Sequence, residues 1–137
     1  MKPTNNLDAQ EGKLPAGTYF VGDLSTILES ENWKFICDKF IPYSTKVETF
    51  TGVLTDNHGK QFAIFRTMYG DGIFTDNKGN SYTSDSGTIG IYPVDESVDR
   101  ISDSGVVHKM SRLFSCSYTE STGVIKFGSI TINTKTH

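Results

Sequence analysis

Cysteine is scarce: Cys37 and Cys116 are the only two in 137 residues. Two cysteines allow at most one bridge, so no disulfide framework holds this fold, and neither lies in a CxxC or Cys/His spacing suited to zinc. The first 13 residues, MKPTNNLDAQEGK, contain no apolar stretch of the kind a secretory leader carries. The expectation is therefore a cytoplasmic protein with two buried thiols, a single Cys37–Cys116 bridge being the alternative. Long apolar runs are also missing. None approaches the roughly 18 residues a membrane span needs, so no membrane partner is expected. An excess of one charge is absent too: 13 basic against 16 acidic residues leave a formal net charge of −3. That balance argues against general nucleic-acid binding. Ala and Leu together number only 9, which leaves little material for helices.

In their place stand 35 Val, Ile and Thr residues, together with 13 Gly. β-Branched side chains are stiff at χ1 and suit a pleated surface. The class this predicts is α+β, mainly β: a strongly bent antiparallel sheet or partial barrel of seven to eight strands with one short helix. Residues 1–13 are polar and aperiodic and read as a flexible tail, leaving 14–137 as a single β-rich domain. The helix is predicted at 31–40. Ser30 suits its N-cap, and Trp33, Ile36, Cys37 and Phe40 recur at helical spacing. Pro42 then ends it. Trp33, Ile36 and Phe40 are expected to dock it on the sheet, since so short a helix is marginal alone.

From Lys46 the pattern has period two. A turn at Asp56-Asn57-His58-Gly59 precedes a strand from Gln61 to Met68 with apolar residues on both faces. A second turn, Asp76-Asn77-Lys78-Gly79, repeats the first: both read Thr-Asp-Asn-x-Gly-x-x-aromatic, from Thr55 to Phe62 and from Thr75 to Tyr82. Two similar hairpins account for this, with Asp capping each turn and Gly supplying the positive φ at its end. Further strands are expected at 18–21, closing on Gly22-Asp23, and at 73–75, 81–84, 88–94, 113–118, 124–127 and 130–132, with a loop over 95–105.

Certain motifs occur together in this order: Leu14-Pro15-Ala16-Gly17-Thr18-Tyr19 with Gly22-Asp23, Tyr69-Gly70-Asp71-Gly72, Asp85-Ser86-Gly87-Thr88-Ile89-Gly90-Ile91, and Lys126-Phe127-Gly128. In them the chain resembles a family of small β-rich proteins of bacteria, phages and large DNA viruses. The resemblance spans about residues 14–132. It implies a compact, β-rich cytoplasmic protein and carries over no catalytic residue.

Acid is concentrated in the middle. Between Gly70 and Gly105 lie Asp71, Asp76, Asp85, Asp95, Glu96, Asp99 and Asp103, against Lys78 and Arg100 alone. Such carboxylates could hold a hard cation, yet no stretch matches a calcium-binding loop, and most of these residues sit where Asp caps turns. Nucleophilic catalysis has little support. His58, His108 and His137 are scattered, and Ser86 lacks the strand–turn–helix setting of a nucleophile elbow. Tyr69, Tyr82 and Tyr92 with Arg66 and Lys78 could rim a planar polar ligand, or could simply pack on the sheet.

The sequence therefore points first to a non-enzymatic binding protein without a cofactor. By the resemblance it is a phage-encoded one that sequesters a small polar, nucleotide-like signal or blocks a host protein. Its ligand-binding residues are predicted as Arg66, Tyr69, Asp71, Asp85 and Ser86, because pairing of strands 73–84 brings the two Asp-Gly turns to one end. The alternative is a metal-dependent hydrolase built on Asp71 and Asp85. Unpaired sheet edges predict a homo-oligomer, most simply a dimer, with the C-terminal strand near Ile130 and Ile132 as its contact.

Overall fold

A computed structural model describes residues 9–40, 53–119 and 121–135. Along the chain run β1 (Ala9–Leu14), β2 (Gly17–Gly22), a 3-10 turn (Leu24–Thr26), α1 (Ser30–Phe40), β3 (Val53–Thr55), β4 (Gln61–Arg66), β5 (Gly72–Thr75), β6 (Ser81–Ser84), β7 (Thr88–Pro93), β8 (Val106–Met110), β9 (Phe114–Thr119), β10 (Val124–Phe127) and β11 (Ile130–Asn133). The strands form three antiparallel sheets: β3-β4-β7-β2-β8, β1-β9-β10-β11 and the hairpin β5-β6. The fold is mainly β with one α-helix, as expected, and none of the sheets closes as a barrel.

Eleven strands are described, against an expected seven or eight. Two of them, β1 and β8, had no sequence signal. β1 occupies residues 9–13, which the sequence assigns to the tail. It pairs with β9 over six residues, from Ala9↔Thr119 to Leu14↔Phe114. Its partner makes it a strand, since β pairing depends more on neighbours than on intrinsic preference. The earlier part of the expected tail, the period-two stretch 46–52 and Pro42 lie outside the described residues.

The five-stranded sheet is covered on both faces, which explains the mixed pattern of β4. Ala63 and Phe65 point into a core shared with the other two sheets, where Cys116, Tyr118, Ile125 and Phe127 meet Phe74 and Tyr82 of the hairpin. Phe65 stacks on Tyr118 at 5.4 Å and on Phe127 at 6.2 Å between ring centroids. Burying that one side chain contributes roughly 2–3 kcal/mol of transfer free energy. Phe62 and Ile64 point the other way, joining Phe20, Leu24, Leu54, Tyr92 and Ile36 of α1 in a second cluster. The helix therefore docks through Ile36. Trp33 packs at its margin only half-buried, a lesser role than the sequence suggests, and the side chain of Phe40 lies outside the described part. Both cysteines are free. Cys116 is buried as expected, but Cys37 is only half-buried.

Ile130 and Ile132 are fully buried in the shared core. Their side chains therefore offer no apolar surface to a second copy. The turn after β5 also covers the edge of β11. Asp76 bridges to Ile132, and Asn77 exchanges hydrogen bonds with the Thr131 backbone at 3.0 and 2.8 Å.

Candidate functional site: an acidic turn end and a basic cleft

The two Asp-Gly turns do meet. The register pair Gly72↔Ser84 brings them together, the Thr67 amide donates to the Gly87 carbonyl at 3.0 Å, and the Thr67 hydroxyl donates to the Gly70 carbonyl. Gly87 and Gly70 lie so close that a β-carbon on Gly87 would stand 3.5 Å from the Gly70 Cα. Tyr69, Asp71, Asp85, Ser86 and Arg66 all lie at the surface of this end, Arg66 closing β4 opposite Thr88.

The donors expected to face a ligand there instead face inward. Asp23, fully buried just after β2, accepts the Asp85 and Ser86 amides on Oδ2 at 2.7 and 2.9 Å. Its Oδ1 accepts the Ser86 hydroxyl at 2.9 Å, the Ser25 amide at 3.0 Å and the Ser25 hydroxyl at 2.6 Å. One carboxylate thus caps the 3-10 turn and also pins the 85–87 loop. In this arrangement Ser86 is part of the scaffold. The sequence treats Asp23 only as a strand end, although Asp-x-Ser-Thr is the pattern of a capped turn.

The repeated turns are built alike. Asp56 and Asp76 each accept two amides on Oδ1, from His58 and Lys60 in one case and from Lys78 and Asn80 in the other, all at 2.8–2.9 Å. On Oδ2 each carboxylate takes a buried tyrosine hydroxyl: Tyr92 donates to Asp56, and Tyr82 donates to Asp76 at 2.6 Å. Tyr82 and Tyr92 are therefore buried with their hydroxyls committed to carboxylates; of the three candidate rim tyrosines only Tyr69 is exposed. Burial alone would raise both carboxyls, but these hydrogen bonds outweigh it and hold them below the usual carboxylate range. The tyrosines move the other way. Burial and then the carboxylate push Tyr92 up to about 12 and Tyr82 higher still.

That shift has a testable sign. A tyrosine with a raised folded pKa contributes stability that is fully present below about pH 10 and is lost as pH rises beyond it. In an alkaline titration, tyrosinate absorbance from Tyr82 and Tyr92 is expected to appear only together with unfolding. Complete ionisation of all six tyrosines with native circular dichroism retained would contradict the buried pairs.

Tyr82 also meets His108 of β8, its hydroxyl 3.0 Å from Nε2. His108 is half-buried, and burial pushes its imidazole below the ordinary value. Beyond it opens a cleft of about 480 Å³ between the β8–β9 connection and the β10–β11 turn. Lys78, His108, Lys109, Ser111, Arg112 and Ser129 supply its polar lining; Met110, Leu113, Phe114 and Ile130 supply the apolar part. The Asp76 turn forms the third wall. Asn77 Nδ2 donates to the Ser129 carbonyl at 3.0 Å, and Lys78 Nζ donates to Ser129 Oγ at 2.9 Å, which holds the lysine over the opening. Local pattern could not reveal this cleft, because its walls come from three separate segments.

Among the described residues no group of three or more His, Cys, Asp or Glu side chains comes together as a metal site would require. No helix there is long and apolar enough to cross a membrane. No protein-family model, curated protein or solved structure matches the chain.

Proposed function

We propose that this chain is a non-enzymatic binding protein that holds a small polar molecule, and that the molecule sits in the basic cleft rather than at the acidic turn end. The observation that carries this reading is the cleft itself. It is an open volume of about 480 Å³ into which polar groups from three anchored segments converge over apolar side chains, the usual make-up of a small-molecule site. The groups that might do chemistry are employed elsewhere. The Ser86 hydroxyl is bonded to Asp23, and the Asp56 and Asp76 carboxylates are bonded to tyrosines. Burial pushes the Cys116 thiol up to about 12, which makes it a poor nucleophile. Asp71 and Asp85 are exposed, and among the described residues neither joins a group of three metal-ligating side chains.

Sequestration of a nucleotide-like signal, or obstruction of a host protein, is the biological role that the family resemblance suggests for such a binder. Native mass spectrometry of the protein purified from a cell lysate tests the binding reading. The expected result is a retained small molecule at one per chain, lost on mild denaturation. A bare polypeptide mass, with no thermal shift across a panel of small metabolites, would count against it. The same spectrum reads the assembly state and so tests the expected homo-oligomer.

A further inference from the structure

We infer that the cleft recognises the phosphate group of a phosphorylated small molecule; this rests on the binding reading above and adds the chemical class of the ligand. The charge pattern is the first argument. The chain as a whole is net acidic, at −3, yet Lys78, Lys109 and Arg112 all line this one cleft and no Asp or Glu does. The nearest carboxylates are already engaged. Asp76 lies behind, taking the Tyr82 hydroxyl, and exposed Asp99 stands 3.7 Å from Lys109, a pairing that water weakens. The neighbouring cleft, of about 380 Å³, makes the contrast. Asp99 and Asp103 line it against Arg100 alone, and Arg100 is paired with Asp103.

Donor chemistry is the second argument. A phosphate carries several strong acceptor oxygens and no obligatory donor. The residues that line the cleft include two lysines, an arginine and the serines Ser111 and Ser129. Arg matches phosphate geometry through paired N–H bonds, and Lys adds a point charge. One of these groups is also positioned. Lys78 rides on a turn fixed by four bonds to the Asp76 carboxylate and by Asn77, and its Nζ is held on Ser129. Such pre-ordering lowers the entropy cost of binding.

The third argument is the apolar side. Leu113 is 60% exposed, one of three large apolar residues so exposed among those described, and it shares the cleft with Met110. A bare inorganic anion has no use for that surface. A phosphate joined to an apolar or planar group would cover it, with the charged end among the cations.

The test is amide-resolved NMR titration of the full chain at low salt with three probes: inorganic pyrophosphate, adenosine monophosphate and adenosine. Saturable shifts are expected over 108–113 and 128–130 with both phosphates, weakening as salt is added, and none with adenosine. Tighter binding of the nucleotide assigns the site to organic phosphates; equal or tighter binding of pyrophosphate keeps a phosphate site but assigns it to the free anion. The Lys78→Ala/Arg112→Ala double variant should weaken either phosphate by at least about tenfold, while Arg66→Ala, at the other site, leaves it unchanged. The absence of any shift at millimolar phosphate would overturn the inference, as would shifts centred on Tyr69 and Asp85. A retained molecule without phosphate would overturn it as well, yet leave the binding reading standing.

Discussion

Replacing Asp23 with alanine is expected to cost about 3–5 kcal/mol, a large share of the total stability of a domain this size. The side chain is completely buried and accepts five hydrogen bonds, from three backbone amides and two serine hydroxyls. Alanine leaves these five donors without their acceptor and opens a hole where a fully buried carboxylate stood. Asp23→Asn fails for a related reason. Both oxygens are ringed by donors, so whichever one becomes an amide nitrogen meets donors with donors. Denaturant unfolding should therefore place both variants far below the parent, with alanine the lower. An Asp23→Ala midpoint within error of the parent would mean that the 85–87 loop is not pinned through this carboxylate. Because Asp85 and Ser86 hang on Asp23, the same variant would loosen the turn end and leave the distant cleft in place.

Gly105→Ala is expected to be at least as damaging, about 3 kcal/mol or more. A β-carbon there would lie 1.9 Å from the Val21 carbonyl oxygen and 2.9 Å from the Gly22 Cα. No rotamer relieves a clash between a Cβ and backbone, so β2 or the chain entering β8 must move. Gly79→Ala is the contrasting case. Its φ is +90°, and nothing stands within 4 Å of the added carbon, so it bears only the cost of a left-handed backbone, about 1–2 kcal/mol. Thermal unfolding of the two should separate them clearly. Equal midpoints would contradict the close approach of residue 105 to β2.

The second Asp-Ser-Gly at 103–105 shows how a short motif can mislead. In sequence it copies Asp85-Ser86-Gly87, but one glycine supplies a positive φ of 78° while the other supplies room for a neighbouring strand. The paired Thr-Asp-Asn-x-Gly turns were better served by sequence. Aspartate capping and the glycine conformation are local matters, and both hairpins form with the same bonds. The tyrosine partners were legible only in part. In the second hairpin Tyr82 lies within the repeat, whereas in the first that position is Phe62, and Tyr92 supplies the hydroxyl from 36 positions away. Beside it Phe62 packs with ring centroids 6.0 Å apart. The basic cleft was illegible for the same reason at larger scale. Lys78 sits in the most acidic third of the sequence, and only the docking of its turn on β11 brings it beside Lys109 and Arg112.

The central claim is that ligand enters the basic cleft and not the acidic turn end, and a three-way native mass measurement tests it most directly. The parent chain, Asp71→Asn/Asp85→Asn and Lys78→Glu/Arg112→Glu are purified in parallel from the same lysate, each verified as folded by circular dichroism. All four substituted positions are exposed, so the fold should tolerate either pair. The account predicts that the parent and the Asp71/Asp85 variant carry the same extra mass and that the Lys78/Arg112 variant carries none. An extra mass kept by the Lys78/Arg112 variant and lost by the Asp71/Asp85 variant would contradict it.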